Sequence, residues 1–137
     1  MITDGGLMKR SMILFALAAF IPAALFGADM GGEYHKITAK EAKAMMDKGG
    51  VTIVDVRTLD EYNAGHIPGA ILGTVQTLED TAPTLLKDKD AVILVYCRTG
   101  IRSAKAAKLL LKLGYKNVYD IAGGITQWPY EVTKAQK

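Results

Sequence analysis

The sequence predicts a three-layer α/β domain with a mostly parallel central sheet flanked by helices. Two observations lead there. Short β-branched or apolar runs alternate with stretches whose apolar residues recur at helical spacing, the signature of strand–helix–strand units. One run, Ala91-Val-Ile-Leu-Val-Tyr96, is apolar throughout, as a strand covered on both faces must be. Size adds a bound, because 137 residues close one hydrophobic core and not two.

The elements follow in order. Residues 29–34 form a polar linker, residues 35–131 the domain and residues 132–137 a polar tail. Thr38-Ala-Lys-Glu41 is a capping box, in which the threonine hydroxyl and the glutamate carboxylate satisfy each other's backbone N–H groups. The helix it opens turns Ala42, Met45 and Met46 inward and stops at Gly49-Gly50. Val51-Thr-Ile-Val-Asp55 is a buried strand. Thr58-Leu-Asp-Glu61 is a second capping box, and its helix ends between Asn63 and Gly65. His66-Ile-Pro-Gly-Ala70 makes a turn before a weak strand at Ile71 and Leu72. Residues 76–86 form a modest helix carrying Leu78, Leu85 and Leu86, with Pro83 blurring its end. After the central strand, Ser103 to Leu113 is a strong helix with Ala106, Ala107, Leu110, Leu111 and Leu113 inward, capped by Gly114. Asn117 to Ile121 is the last strand, and Gly123-Gly124 leads into a short final helix carrying Trp128.

The first 28 residues stand apart. Lys9 and Arg10 precede an apolar stretch from Met12 to Phe26, and the small residues Gly27 and Ala28 precede Asp29. Charge, apolar stretch and small residues in that order, over 8–28, are the plan of a secretory signal. The stretch falls short of the ~20 residues of a membrane span, and Pro22 interrupts it. Export, to the periplasm, is the expectation. The alternative is an uncleaved N-terminal membrane anchor, because Phe26 or Leu25 sits where cleavage prefers a small side chain.

Composition excludes several classes. With 50% apolar and 23% charged residues, disorder is excluded. A formal charge of +3 is too small to predict a nucleic-acid partner. The single cysteine, Cys97, rules out an internal disulfide and a cysteine-rich zinc site.

That cysteine lies in Tyr96-Cys97-Arg98-Thr99-Gly100-Ile101-Arg102-Ser103, between the central strand and the strong helix. Ligands of open α/β sheets bind beyond the carboxyl ends of strands. A helix start offers free N–H groups and partial positive charge, and a tight loop containing Gly100 can aim its amides inward as an anion-holding nest. Those amides, the helix dipole and the guanidiniums of Arg98 and Arg102 would lower the pKa of Cys97 and make it a nucleophile. A free cysteine is more commonly a small buried hydrophobe. Two arginines and a glycine are poor core residues, however, and suit an anion pocket.

Four segments together resemble the rhodanese family in its single-domain form. They are Val54-Asp55-Val56-Arg57, Glu61-Tyr62-Asn63-Ala64-Gly65-His66-Ile67-Pro68-Gly69-Ala70, the Tyr96-to-Ser103 loop, and Ala122-Gly123-Gly124-Ile125 with Trp128. The resemblance covers about residues 35–131. It implies the rhodanese-type α/β fold and a sulfurtransferase in which Cys97 carries a sulfane sulfur as a persulfide cradled by Arg98, Thr99, Gly100, Ile101 and Arg102. Related phosphatases place one residue more between cysteine and arginine, so this shorter ring suits one extra sulfur rather than a phosphate. A small anionic donor such as thiosulfate, with Arg98 or Arg102 offsetting its charge, and a cyanide, thiol or protein acceptor are the expected partners. No metal or organic cofactor is required. The alternative is a non-catalytic module of the same fold that binds an anion or a protein.

Other candidates read as scaffold. Asp55 and Arg57 follow a strand end and are expected to form an internal ion pair, and His66 to hydrogen-bond the backbone of its turn. Gly123-Gly124 reads as a turn rather than a close approach to the loop, and Trp128 as core. Lys105, Lys108, Lys112 and Lys116 share one helix side, expected to be a solvated face, with guidance of anionic donors as the alternative.

Overall fold

The computed structural model describes residues 34–136. The secretory signal read at 8–28 and nearly all of the linker lie outside them. Five strands form one fully parallel sheet: β1 (His35–Ile37), β2 (Val51–Asp55), β3 (Ile71–Leu72), β4 (Val92–Tyr96) and β5 (Asn117–Ile121), in the order β1-β5-β4-β2-β3. Helices α1 (Ala39–Lys48), α2 (Leu59–Ala64), α3 (Leu78–Leu85) and α4 (Ile101–Lys112) connect them, and a 3-10 turn spans Gly124–Gln127. None of the described helices is long and apolar enough to cross a membrane.

Two hydrophobic clusters fill the spaces on either side of the sheet. On one side α3 and α4 bury Leu78, Ala82, Ala106, Ala107, Leu110 and Leu111 against Val54, Ile93, Val95 and Val118. On the other, Ala42 of α1, Ile67 and Trp128 cover Ile53, Leu94, Tyr96 and Ile121. Each fully buried Leu or Ile contributes about 1.5–3 kcal/mol by leaving water. Both capping boxes form, at Thr38/Glu41 and Thr58/Glu61.

The structure departs from the sequence reading in five places. Residues 35–37, given no element in the sequence reading, are an edge strand paired to β5 from His35↔Tyr119 to Ile37↔Ile121. Helix α4 begins at Ile101, two residues before Ser103. Pro83 lies inside α3, and Leu85 faces outward, 39% exposed, while Leu78 and Leu86 are buried. The final helix is a single 3-10 turn with Trp128 just past its end. The polar tail is partly pinned: Thr133 exchanges two backbone hydrogen bonds with His66, and the Ala135 N–H donates to the Asn63 carbonyl.

The strand order places the site. From β2 the chain moves outward to β3, then returns to β4 on the other side of β2 and continues to β5. The loops leaving β2 and β4 therefore diverge, and a crevice opens at the carboxyl ends of these neighbouring strands. Cys97 follows β4, and Arg57 follows β2, at that crevice.

Candidate active site

Successive residues of a strand face opposite sides of a sheet. Tyr96 accordingly joins the cluster under α1, and Cys97 joins the cluster under α4. The Cys97 thiol is buried, only 1% exposed, yet it is not sealed in apolar surroundings. The Gly100 N–H donates to Sγ at 3.0 Å, and the Ser103 hydroxyl lies 3.4 Å from it. Gly100 makes that approach possible with φ +113°, a left-handed backbone that disfavours other residues. Burial alone would raise the thiol pKa. The Ser103 hydroxyl and the N–H groups of Ser103, Gly100 and Thr99 outweigh it, so Cys97 ionises more readily than an ordinary cysteine.

The loop's side chains divide. Ile101 is 81% exposed, so its side chain points to water and only its backbone belongs to the ring. Arg98 is exposed and lines a cleft of about 350 Å³ together with Arg57, Glu61, Gly65, Ile125 and Thr126. Arg102 differs from the expectation that it would offset a donor's charge. Its guanidinium forks onto the Glu61 carboxylate at 2.7 and 2.9 Å, tying α4 to α2 across the crevice. That bond is the main reason why the Glu61 pKa falls to about 2. Another cavity, about 430 Å³ between β3 and α3, is lined by residues that include Leu72, Thr74, Thr77, Asp80, Thr81 and Leu85, and contains none of these groups.

A second polar cluster sits across the sheet. Arg57 and Asp55 form a buried ion pair with a shortest contact of 2.6 Å. Arg57 also donates to the Gly65 carbonyl at 2.7 Å. The Tyr96 hydroxyl donates to Asp55 Oδ2 at 2.6 Å and accepts the Ile67 N–H at 3.0 Å. Burial opposes the charge on Arg57, but Asp55 more than restores it, so its pKa rises. His66 places Nδ1 2.8 Å from the Tyr62 carbonyl and stacks on the Tyr62 ring at 3.7 Å.

The glycine pair does more than turn the chain. The Ile125 N–H donates to the Cys97 carbonyl at 2.9 Å, and the Thr126 N–H to the Arg98 carbonyl at 3.2 Å. A Cβ on Gly124 would stand 2.3 Å from the Cys97 oxygen. This close approach corrects the simple-turn reading, because the 3-10 turn clamps the reactive loop from outside. Lys105, Lys108 and Lys112 are exposed on α4, and Lys116 pairs with Asp90 at 3.0 Å.

Sequence reasoning missed Ser103 and Glu61 as site residues. Ser103 carries a usable signal, a hydroxyl in the first turn of a helix that begins beside a cysteine. Glu61 is hidden by its capping box.

Comparison with known proteins agrees with this geometry. The family described as rhodanese-like domain matches residues 38–131. A tRNA uridine(34) hydroxylase of Erwinia tasmaniensis is 39% identical over 107 residues, which cover 75% of this chain and 30% of that protein. The chain therefore spans less than a third of the length of the curated relatives it matches. Among solved structures, the rhodanese-like domain of the Anabaena Alr3790 protein superposes with a TM-score of 0.69 at 28% identity, covering 75% of this chain and 81% of that one. A thiosulfate sulfurtransferase from Pseudomonas aeruginosa superposes with a TM-score of 0.66 at 25% identity, covering 76% of this chain and 21% of that one.

Proposed function

Because the chain belongs to the rhodanese-like domain family, we propose that it is a sulfurtransferase working through a persulfide on Cys97. The observation that carries this reading is the ring of donors on Sγ, with the Gly100 N–H at 3.0 Å and the Ser103 hydroxyl at 3.4 Å. Such donors stabilise a thiolate, and after transfer they serve the anionic outer sulfur equally well.

Two half-reactions follow. The Cys97 thiolate attacks the sulfane sulfur of an anionic donor such as thiosulfate. A sulfur–sulfur bond forms to Cys97, and the donor's own sulfur–sulfur bond breaks with its electron pair leaving on sulfite. Cyanide or a thiolate, free or on a protein, then attacks the outer sulfur and the electron pair returns to Cys97. Arg98 is assigned to meet the donor's charge, a role supported by its position lining the cleft without an ion pair among the described residues. Arg102 is held by Glu61 and acts mainly to fix the two walls of the crevice.

The hydroxylase activity named for the curated relatives belongs to proteins more than three times as long as the matched segment, so the match carries the domain and not that activity. Export by residues 8–28 remains part of the proposal. The test is thiosulfate:cyanide turnover with intact-mass analysis of protein recovered from its host. The expected result is a gain of about 32 Da on Cys97 after exposure to donor, lost on adding cyanide. Full turnover by Cys97→Ser would refute the assignment, and the same mass spectrum reports whether residues 1–28 have been removed.

A further inference from the structure

Asp120 presents an unusual environment for a carboxyl group. It is completely buried, and neither carboxylate oxygen has a hydrogen-bond partner. Buried polar groups are almost always paired, so an unpaired carboxyl calls for a physical reason. Its place in the fold supplies one. In the sheet register Asp120 stands beside Val95 of β4 and Lys36 of β1. Paired residues present their side chains to the same face. Val95 and Cys97 both belong to the cluster under α4, so the carboxyl points to the side of the sheet that holds the thiol. Ser103, itself fully buried in the first turn of α4, holds its hydroxyl 3.4 Å from Sγ on that same side of the sheet.

From this juxtaposition of a buried, unpartnered carboxyl, a buried hydroxyl and the reactive thiol, we propose that Asp120 and Cys97 share one proton through Ser103. The proton bound to Sγ passes to the Ser103 oxygen while the serine's own proton passes to an Asp120 oxygen. The serine is neutral before and after, the electron pair of the broken S–H bond stays on sulfur as the thiolate, and Asp120 ends as the neutral acid. In the structure the hydroxyl donates to the Gly100 carbonyl at 3.2 Å, and the shared proton requires it to leave that carbonyl for the carboxyl.

Three groups face Asp120: Ser103 from α4, the Lys36 ammonium from the edge strand, and Cys97 beyond the hydroxyl. Tyr119, its neighbour along β5, packs on the opposite side of the sheet. Burial raises the Asp120 pKa and outweighs both Ser103 and Lys36, which favours the protonated acid. A neutral Asp120 leaves room for the thiolate, whereas two buried anions on one hydroxyl would repel each other. The two sites therefore titrate as a pair, in two steps that belong to neither alone.

The test follows the Cβ carbon of the single cysteine by ¹³C NMR across a pH titration, in the full chain and in Asp120→Asn. In the wild type the resonance moves in two steps, and the Asp120 carboxyl carbon moves in the same two. In the variant the cysteine moves in one. A variant profile that superimposes on the wild type, or an Asp120 carbon with a single separate step, overturns the proposal. If Asp120→Asn does not fold, the wild-type carboxyl titration decides alone. A solely structural role for Asp120 would alter stability without changing the number of steps. The inference rests on Cys97 being the reactive thiol, and the two readings fail separately: coupled titration without sulfur transfer refutes the proposed activity, and transfer with uncoupled titration refutes the proton sharing.

Discussion

Replacing Gly124 with alanine isolates what the 3-10 turn does for the reactive loop. At φ +58° an L-residue pays about 1–2 kcal/mol for left-handed backbone. The new Cβ would also meet the Cys97 carbonyl oxygen at 2.3 Å and the Arg98 carbonyl oxygen at 2.5 Å, backbone atoms that cannot swing aside as a side-chain tip would. Relieving that contact separates the turn from the loop and loses the hydrogen bonds from Ile125 and Thr126, at about 1 kcal/mol each. The expected total is about 3–4 kcal/mol, summed from these contributions. Gly69→Ala is the control. Its φ is +83°, but a Cβ there finds nothing within 4 Å, so only the backbone cost of about 1–2 kcal/mol applies. Urea unfolding of both variants gives the difference, provided the slope with denaturant is unchanged. The rate of Cys97 alkylation reports the loop, and Gly124→Ala should slow it because Gly100 and Sγ lose their alignment. Equal stability of the two variants, with an unchanged alkylation rate in Gly124→Ala, would refute the clamp.

Three further outcomes follow. Folding lowers the Glu61 pKa from 4.5 to about 2, so its stabilisation is fully present above pH 4.5 and is lost as pH falls towards 2. Thermal melts across that window should show the loss in the wild type and a flatter profile in Glu61→Gln, by roughly 1 kcal/mol or less because the pair is partly solvated. Arg57→Ala leaves the Asp55 charge buried without its partner and should cost about 3–5 kcal/mol in denaturant unfolding, against under about 1 kcal/mol for Lys116→Ala at the exposed Asp90 pair. Tyr96→Phe removes a donor to Asp55 and an acceptor for the Ile67 N–H, and should cost about 1–3 kcal/mol by the same measurement.

What the sequence disclosed was local. Both capping boxes, the runs of β2, β4 and β5 and the position of the Cys97 loop between β4 and α4 can be read within a few residues of chain, and each is in place. The misses have a common cause in long-range contact. His35–Ile37 carries no apolar alternation and becomes a strand only because β5 offers it an edge. The apolar pattern of Ala106 to Leu113 leaves the start of α4 unmarked, because Gly100 caps that helix with no side chain at all. The Glu61–Arg102 fork joins residues 41 apart, beyond any spacing rule.

The two polar clusters at the crevice differ in a way that bears on what each can do. On the α1 side, the shared Asp55 oxygens accept from Arg57 and Tyr96, and Tyr96 in turn accepts from Ile67. A fully satisfied buried network has one low-energy arrangement and resists change, which suits residues that hold loops in place. On the α4 side, the Ser103 hydroxyl stands 3.4 Å from the thiol, and the buried Asp120 carboxyl has no hydrogen-bond partner. An incompletely satisfied network costs stability, but it has more than one way to place its proton. Tyr96 and Cys97 are adjacent in the chain and point to opposite faces, so a single step along β4 separates the rigid support from the part that holds the ionisable thiol. Exchanging the roles would fail on both counts: a loosely satisfied Asp55 would let the loops drift, and a fully bonded Asp120 would have no place for the thiol's proton.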